Sequence, residues 1–167
     1  MTIAKLGDLE ALLLSAEDAR SWHYFPHAIF RIAKFAKKYD SDADIAMMVA
    51  QLKLSFVRPD SPANILLFLN KGVTVGHLLT SMEEWFGTSF ATIVQYELDQ
   101  PCPRNFTVLA LAEVEKWAVA RGARFLQCLA RDEHVARAFS TFHGFEKNRI
   151  VMRKPLSTDV ATTIQSM

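Results

Sequence analysis

Between Ile65 and Leu98 the chain passes through three apolar segments joined by two short turn signals, a pattern that commits this stretch to a sheet built from sequence neighbours. Ile65–Leu69 is a continuous apolar run, and Asn70-Lys71-Gly72 then supplies residues that tolerate a tight turn. Val73–Trp85 reads as the second strand of a hairpin, and Gly87–Ser89 turns the chain again. Phe90–Leu98 is rich in aromatic and β-branched residues, as a central strand is. Strict alternation puts Ala91, Ile93, Gln95 and Glu97 on one face of it.

The first third reads differently. Thr2–Leu6 suits a short strand, after which Asp8 stands as the N-cap of a helix carrying Leu9, Leu12, Leu13 and Ala16 at helical spacing. Pro26 is expected to break that helix. A second stripe of Ile29, Ile32, Ala33 and Ala36 ends in Lys37 and Lys38, and a third of Ile45, Val49 and Leu52 follows Asp40, Ser41 and Asp42 as cap candidates. The cluster RPDSPAN marks the turn into the strands.

Downstream, Val108, Leu111, Val114 and Ala118 define a helix face that Gly122 stops. RFLQCLA follows as a strand, DEHVARAFSTFHG as a short helix ending at Gly144, and FEKNRIVMRKPL as a closing strand or hairpin. The order is that of an α/β domain with a mixed sheet. We assign residues 1–156 to one domain, with a helical part over 1–58 and a sheet and cleft part over 64–156. Residues 157–167 form a polar tail.

A chain of 167 residues, 50% of them hydrophobic and 22% charged, has the composition of one domain with its own core. Nineteen Lys and Arg against eighteen Asp and Glu leave +1, giving no overall field for nucleic acid or an anionic membrane, and neither is expected as a partner. The only cysteines, Cys102 and Cys128, match neither a disulfide scaffold nor a zinc spacing, which fits a reducing, cytoplasmic setting with no metal site. No stretch approaches a membrane span, and the N-terminus lacks the pattern of a secretion signal.

Isolated reactive residues are read conservatively. Nothing in the sequence joins Cys102 to His134 or His143 as a nucleophile and base, and Cys128 suits a small core position. His23 and His27 are four apart but flank Pro26, so a structural or substrate-pocket role is favoured over metal binding. Lys34, Lys37 and Lys38 read as a solvated helix end.

The second half resembles the GNAT superfamily of N-acetyltransferases, which move an acetyl group from acetyl-CoA to an amine. The clearest match is ARAFSTFHGFEKNRIVMRKPL, with Gly144 and Phe145 at the family's Gly-Phe turn. EVEKWAVARGARFLQCLA is similar to the family's long helix, Gly-Ala turn and following strand, and VTVGHLL, with Gly76, to the strand opening its central hairpin. Trp85-Phe86-Gly87 and the strand after it resemble acetyltransferase-like proteins of bacteriophages, which implies host cytoplasm or a virion as the setting.

The resemblance implies a GNAT-like fold, a mixed central sheet with helices on both faces, and acetyl-CoA bound along the strand ending at Leu98. It assigns Tyr96, Leu98, Arg104, Asn105 and Phe106 to the cofactor. It makes Glu97, near the end of that strand, the general base for an incoming ammonium, with Glu83 and Glu84 on the neighbouring strand as further carboxylates. The chain departs from the family pattern in three places. The phosphate loop is Pro101-Cys102-Pro103-Arg104-Asn105-Phe106-Thr107, without glycine; Ser140 stands where the family's acid is a Tyr; and Glu133 replaces a frequent Asn. Tyr96 is then a substitute acid and Arg104 a compensating charge for the phosphates. Two functions follow: an acetyltransferase acting on a small-molecule or protein amine, or an inactive GNAT-fold component that binds a protein partner or itself, in a phage virion or a phage–host contact.

Overall fold

The computed structural model describes residues 1–39, 43–58, 60–99, 101–128, 133–143 and 145–146. Among these residues its centre is a six-stranded sheet in which each strand lies beside its neighbours in sequence, β1-β2-β3-β4-β5-β6. The strands are β1 (Thr2–Leu6), β2 (Leu9–Leu13), β3 (Ala63–Asn70), β4 (Val73–Trp85), β5 (Thr88–Leu98) and β6 (Leu126–Cys128). All pairs are antiparallel except β5 with β6, which makes the sheet mixed. Helices α1 (Ala19–Tyr39) and α2 (Ile45–Val57) pack on one face, α3 (Arg104–Ala120) and α4 (Glu133–His143) on the other.

The meander from β3 to β5 forms as the turn residues require. Lys71 and Gly72 take φ of 52° and 79°, Phe86 and Gly87 take 49° and 72°, and two left-handed residues in succession match the twist of a two-residue hairpin. β3 is covered on both sides. Leu67 and Leu69 enter the core under α1 and α2, while Leu66 and Phe68 enter the core under α3, where Phe106 has no exposed surface. Full burial of such a side chain contributes on the order of 1.5–3 kcal/mol.

The N-terminal segment corrects the expectation of a helix starting at Asp8. Gly7, at φ 59°, turns the chain, and Leu9–Leu13 is a strand paired to β1 on one side and β3 on the other. Its alternation serves two cores, Leu12 under α1 and Ala11 under α3, so the densely apolar run fits a strand covered on both faces. The part over 1–58 is therefore a hairpin followed by two helices. The helix cap is Asp18, whose Oδ1 accepts from the Arg20 N–H at 3.1 Å.

Pro26 does not break α1, which runs through it from Ala19 to Tyr39. Pro26 is exposed, and the buried face of Ser21, Tyr24, Phe25, Ala28, Ile32 and Ala36 packs uninterrupted on the sheet, which outweighs one lost backbone bond. The cap of α2 is Asp44, whose Oδ1 accepts from the Met47 N–H at 2.9 Å; Asp40, Ser41 and Asp42 lie outside the described residues.

On α3 the buried face is Phe106, Thr107, Ala110, Leu111, Val114 and Ala118, and Val108 is exposed instead of inward. Gly122, at φ 80°, ends the helix as expected. The closing strand after Glu146, Gly144 of the Gly-Phe turn and the tail over 157–167 lie outside the described residues.

Candidate functional site

One irregularity sets the site. The β4–β5 ladder steps from Thr80↔Ile93 to Leu79↔Gln95, leaving Val94 as an extra residue. A bulge of this kind reverses the alternation beyond it. Ile93 and Tyr96 therefore both face α3 and α4, while Gln95 and Glu97 face α1. The single face expected for Ala91, Ile93, Gln95 and Glu97 is split at this point.

Below the bulge, β4 and β5 put His77 directly opposite Glu97. His77 has no exposed surface, and its Nε2 lies 3.0 Å from Gln95 Oε1. The amide oxygen accepts, so Nε2 carries the proton. Its Nδ1 is buried with no hydrogen-bond partner among the described residues, 3.8 Å from Glu97 Oε2. Burial pushes the imidazole below its ordinary pKa; the Gln95 bond opposes this, the Arg31 charge adds to it, and the Glu97 and Asp99 carboxylates oppose it.

Arg31 of α1 closes the group. It donates to both oxygens of Asp99, at 2.6 and 2.7 Å, and its Nη2 is 3.5 Å from Glu97 Oε2. This two-pronged bond holds the Asp99 carboxyl below its usual range and raises the guanidinium. Glu97 and Asp99 edge a cleft of about 590 Å³ between α1 and the β3–β4 turn, lined also by His23, His27, Arg31 and Lys34. Because α1 is continuous, His23 and His27 sit one turn apart, ring centroids 6.1 Å from each other. Among the described residues no cluster of three or more His, Cys, Asp or Glu is placed to hold a metal ion, and no helix is long and apolar enough to cross a membrane.

The other expected site residues lie across the sheet. Tyr96 packs edge-on against Phe68 and Phe139, at 6.1 and 5.6 Å between centroids, and burial raises its phenol far above the ordinary value. Ser140 is exposed on α4 beside the buried Phe139. Tyr96, Ser140 and Glu97 are thus divided between two faces. Leu98 is half-buried against the α3 core, and Phe106 is wholly inside it, so only its backbone is available to a ligand.

Arg104 and Asn105 are exposed at the start of α3, where Pro103 occupies the cap position without a side-chain bond. Asn105 Oδ1 accepts from the Phe106 N–H at 3.0 Å. Cys102 is half-buried, its thiol raised by burial, and Cys128 is pushed up to about 11 by the same cause. The side chains of His134 and His143 lie outside the described set. Glu83 and Glu84 are exposed near the tip of the β4–β5 hairpin, and Glu133 is exposed at the start of α4.

Sequence reasoning reached Glu97 but missed His77, Gln95, Arg31 and Asp99. His77 carried a readable signal: a lone histidine inside the apolar run of β4, next to Gly76. Arg31 and Asp99 carried none, since only the packing of α1 brings them together.

No protein-family model matches the sequence, and no curated protein matches it by sequence. Solved structures do match the fold. An aminoglycoside acetyltransferase from an uncultured soil metagenomic sample, solved with sisomicin, aligns at a TM-score of 0.59 and 15% identity over 90% of this chain and 97% of that one. A GNAT family acetyltransferase from Staphylococcus aureus aligns at 0.55 and 11% identity, over 89% and 99% of the two chains. An integron cassette protein from the mobile metagenome of V. cholerae aligns at 0.61 and 7% identity, over 95% and 98%. The chain has the GNAT-like α/β fold.

Proposed function

We propose that this GNAT-like domain transfers an acetyl group from acetyl-CoA to an amine, with the acceptor held in the cleft beside α1. The observation that carries the reading is the position of Glu97: a carboxylate at the end of β5, on the cleft, backed by buried His77 and flanked by Arg31. Such a carboxylate takes the proton from an incoming ammonium and leaves a nucleophilic lone pair. Arg31 fixes the carboxylate's orientation through the Asp99 pair. His23 and His27 line the acceptor's approach.

Arg104, the first residue of α3, fits the phosphates of the cofactor, since a helix start carries partial positive charge and a guanidinium adds to it. Asn105 would offer its N–H group, the Phe106 N–H becoming available only if the Asn105 side chain turns away from it, and the Tyr96–Leu98 backbone would run along the pantetheine arm. The thioester supplies an activated acyl carbon. As the amine bonds to the acyl carbon the C–S bond breaks, and the departing CoA sulfur would take a proton from solvent, met by the Tyr96 phenol, whose raised pKa keeps it a hydrogen-bond donor, or by the exposed Ser140 hydroxyl.

A second reading, an inactive GNAT-fold component of a virion or a host contact, is favoured by one observation. Asn105 Oδ1 already occupies the Phe106 N–H at the helix start where a phosphate oxygen would bind. Calorimetry with acetyl-CoA separates the two. Micromolar binding, weakened by Arg104→Ala and kept by Glu97→Gln, supports transfer; no heat near millimolar ligand with folded protein overturns it.

A further inference from the structure

The β4–β5 hairpin outgrows the sheet. β3 accompanies β4 only to Ala63↔Ser81 and one bond from the Met82 N–H to the Pro62 carbonyl, yet β4 and β5 continue through Glu84↔Ser89 and Trp85↔Thr88. At about 3.4 Å per residue the tip stands roughly 10 Å beyond the third strand. Trp85 is 56% exposed and Phe86 92%, their rings 5.2 Å apart.

Phe86 is also held at φ 49°, a left-handed conformation that costs a bulky residue on the order of 1–2 kcal/mol and that Gly, Asn or Asp adopts more easily. A turn chosen for its backbone alone would not carry phenylalanine there. The tip is acidic as well as aromatic: Glu83 and Glu84 precede it, and the chain holds no Lys or Arg between Lys71 and Arg104. That charge opposes nucleic acid and anionic lipid.

The matching surface is on the same end of the molecule. A cleft of about 300 Å³, between the end of α2 and the start of β3, is lined by Phe56 and Trp117, and its charged lining among the described residues is Arg58, Arg121 and Glu17. The Arg121 guanidinium lies 4.7 Å over the Trp117 ring, forming a flat cationic wall. Asn64 lines the cleft too, and its buried Oδ1 has no hydrogen-bond partner among the described residues.

We infer that the Trp85–Phe86 tip docks into the Phe56–Trp117 cleft of a second copy of this chain, each copy giving and receiving one arm about a two-fold axis. Acidic, aromatic tip and basic, aromatic cleft are complementary. With Trp85 56% and Phe86 92% exposed, the two arms offer the area of about three full aromatic side chains, roughly 450–750 Å², and with the cleft walls counted the total reaches the lower part of the ~1,200–2,000 Å² of a stable interface. The inference does not rest on the acetyl-transfer reading.

Sedimentation velocity tests it. The native protein is expected to be a dimer, and Trp85→Ser with Phe86→Gly a monomer that melts as a folded protein, since the glycine relieves the turn. Glu83→Lys with Glu84→Lys, and separately Arg58→Glu with Arg121→Glu, are each expected to weaken self-association at least tenfold. Arg58→Glu alone serves if the double change melts early. Mixing the two charge variants restores both contacts, so a one-to-one heterodimer is the expected product. A monomeric native protein, a dimer indifferent to the Trp85 and Phe86 changes, or a mixture that stays monomeric would each overturn the inference.

Discussion

The Nδ1 atom of His77 lies 3.8 Å from Oε2 of Glu97, its direct partner across the β4–β5 ladder. The histidine is neutral and buried, so its proton affinity is lower in the folded chain than in the unfolded one. The unfolded state then takes up the proton first as pH falls. Stability is full above the unfolded value of about 6.5 and declines as pH drops toward the lower folded value. Scanning calorimetry from pH 8 to 5 is expected to show a Tm that is level and then falls. His77→Gln flattens that fall while costing about 1–3 kcal/mol, since it disturbs the buried bond to Gln95.

Arg31 ties α1 to the end of β5 through its bonds to Asp99 and its contact with Glu97. Arg31→Ala is expected to lower the urea midpoint by an amount equal to about 1–3 kcal/mol, with the slope unchanged. Lysine restores the charge but not the fork, so Arg31→Lys recovers less than half of the loss. Equal stability of native protein and Arg31→Ala would show that the pair holds nothing together. The Asp99 share of this stability is present above about pH 4 and lost below it, as the lowered carboxyl takes its proton.

A Cβ on Gly76 would lie 2.6 Å from the Glu97 carbonyl oxygen and 2.6 Å from Leu98 Cδ2. The first neighbour is backbone and cannot swing aside. Gly76→Ala is expected to cost about 1–3 kcal/mol and, because the displaced strand carries Glu97, to lower any turnover along with the melting temperature.

Lys71 sits at φ 52° in the turn between β3 and β4. Asparagine tolerates that conformation better, and the Lys71 ammonium meets Asp8 only at 3.8 Å on an exposed surface. Lys71→Asn is therefore expected to stabilise the protein by about 0.5–1 kcal/mol, read as a higher Tm; a lower one would show that the Asp8 contact matters more than the turn.

What was legible in the sequence follows from how local the determinants are. The β3–β5 meander could be read because a glycine, Gly72 or Gly87, takes a left-handed φ in each of its two turns, and α3 because Gly122 stops it. Leu9–Leu13 could not, since an unbroken apolar run fits a buried strand and a helix face equally, and the choice is made by β3, far along the chain. Pro26 misled for a similar reason: the packing of α1 on the sheet outweighs the lost bond. Glu97 was found through resemblance, but the face it occupies depends on the extra residue Val94, which leaves no mark in the pattern of apolar positions.

The place of β2 in the sheet imposes an order on assembly. The β1–β2 hairpin is made before the rest of the sheet, yet the other edge of β2 has no partner until α1, α2 and β3 have followed it. Closing that long loop costs more entropy than closing either turn of the meander. The local β3–β4–β5 unit is accordingly expected to nucleate folding, with the N-terminal hairpin joining it late. Side chains of β2 would carry low φ-values, and changes there would speed unfolding while leaving the folding rate nearly untouched.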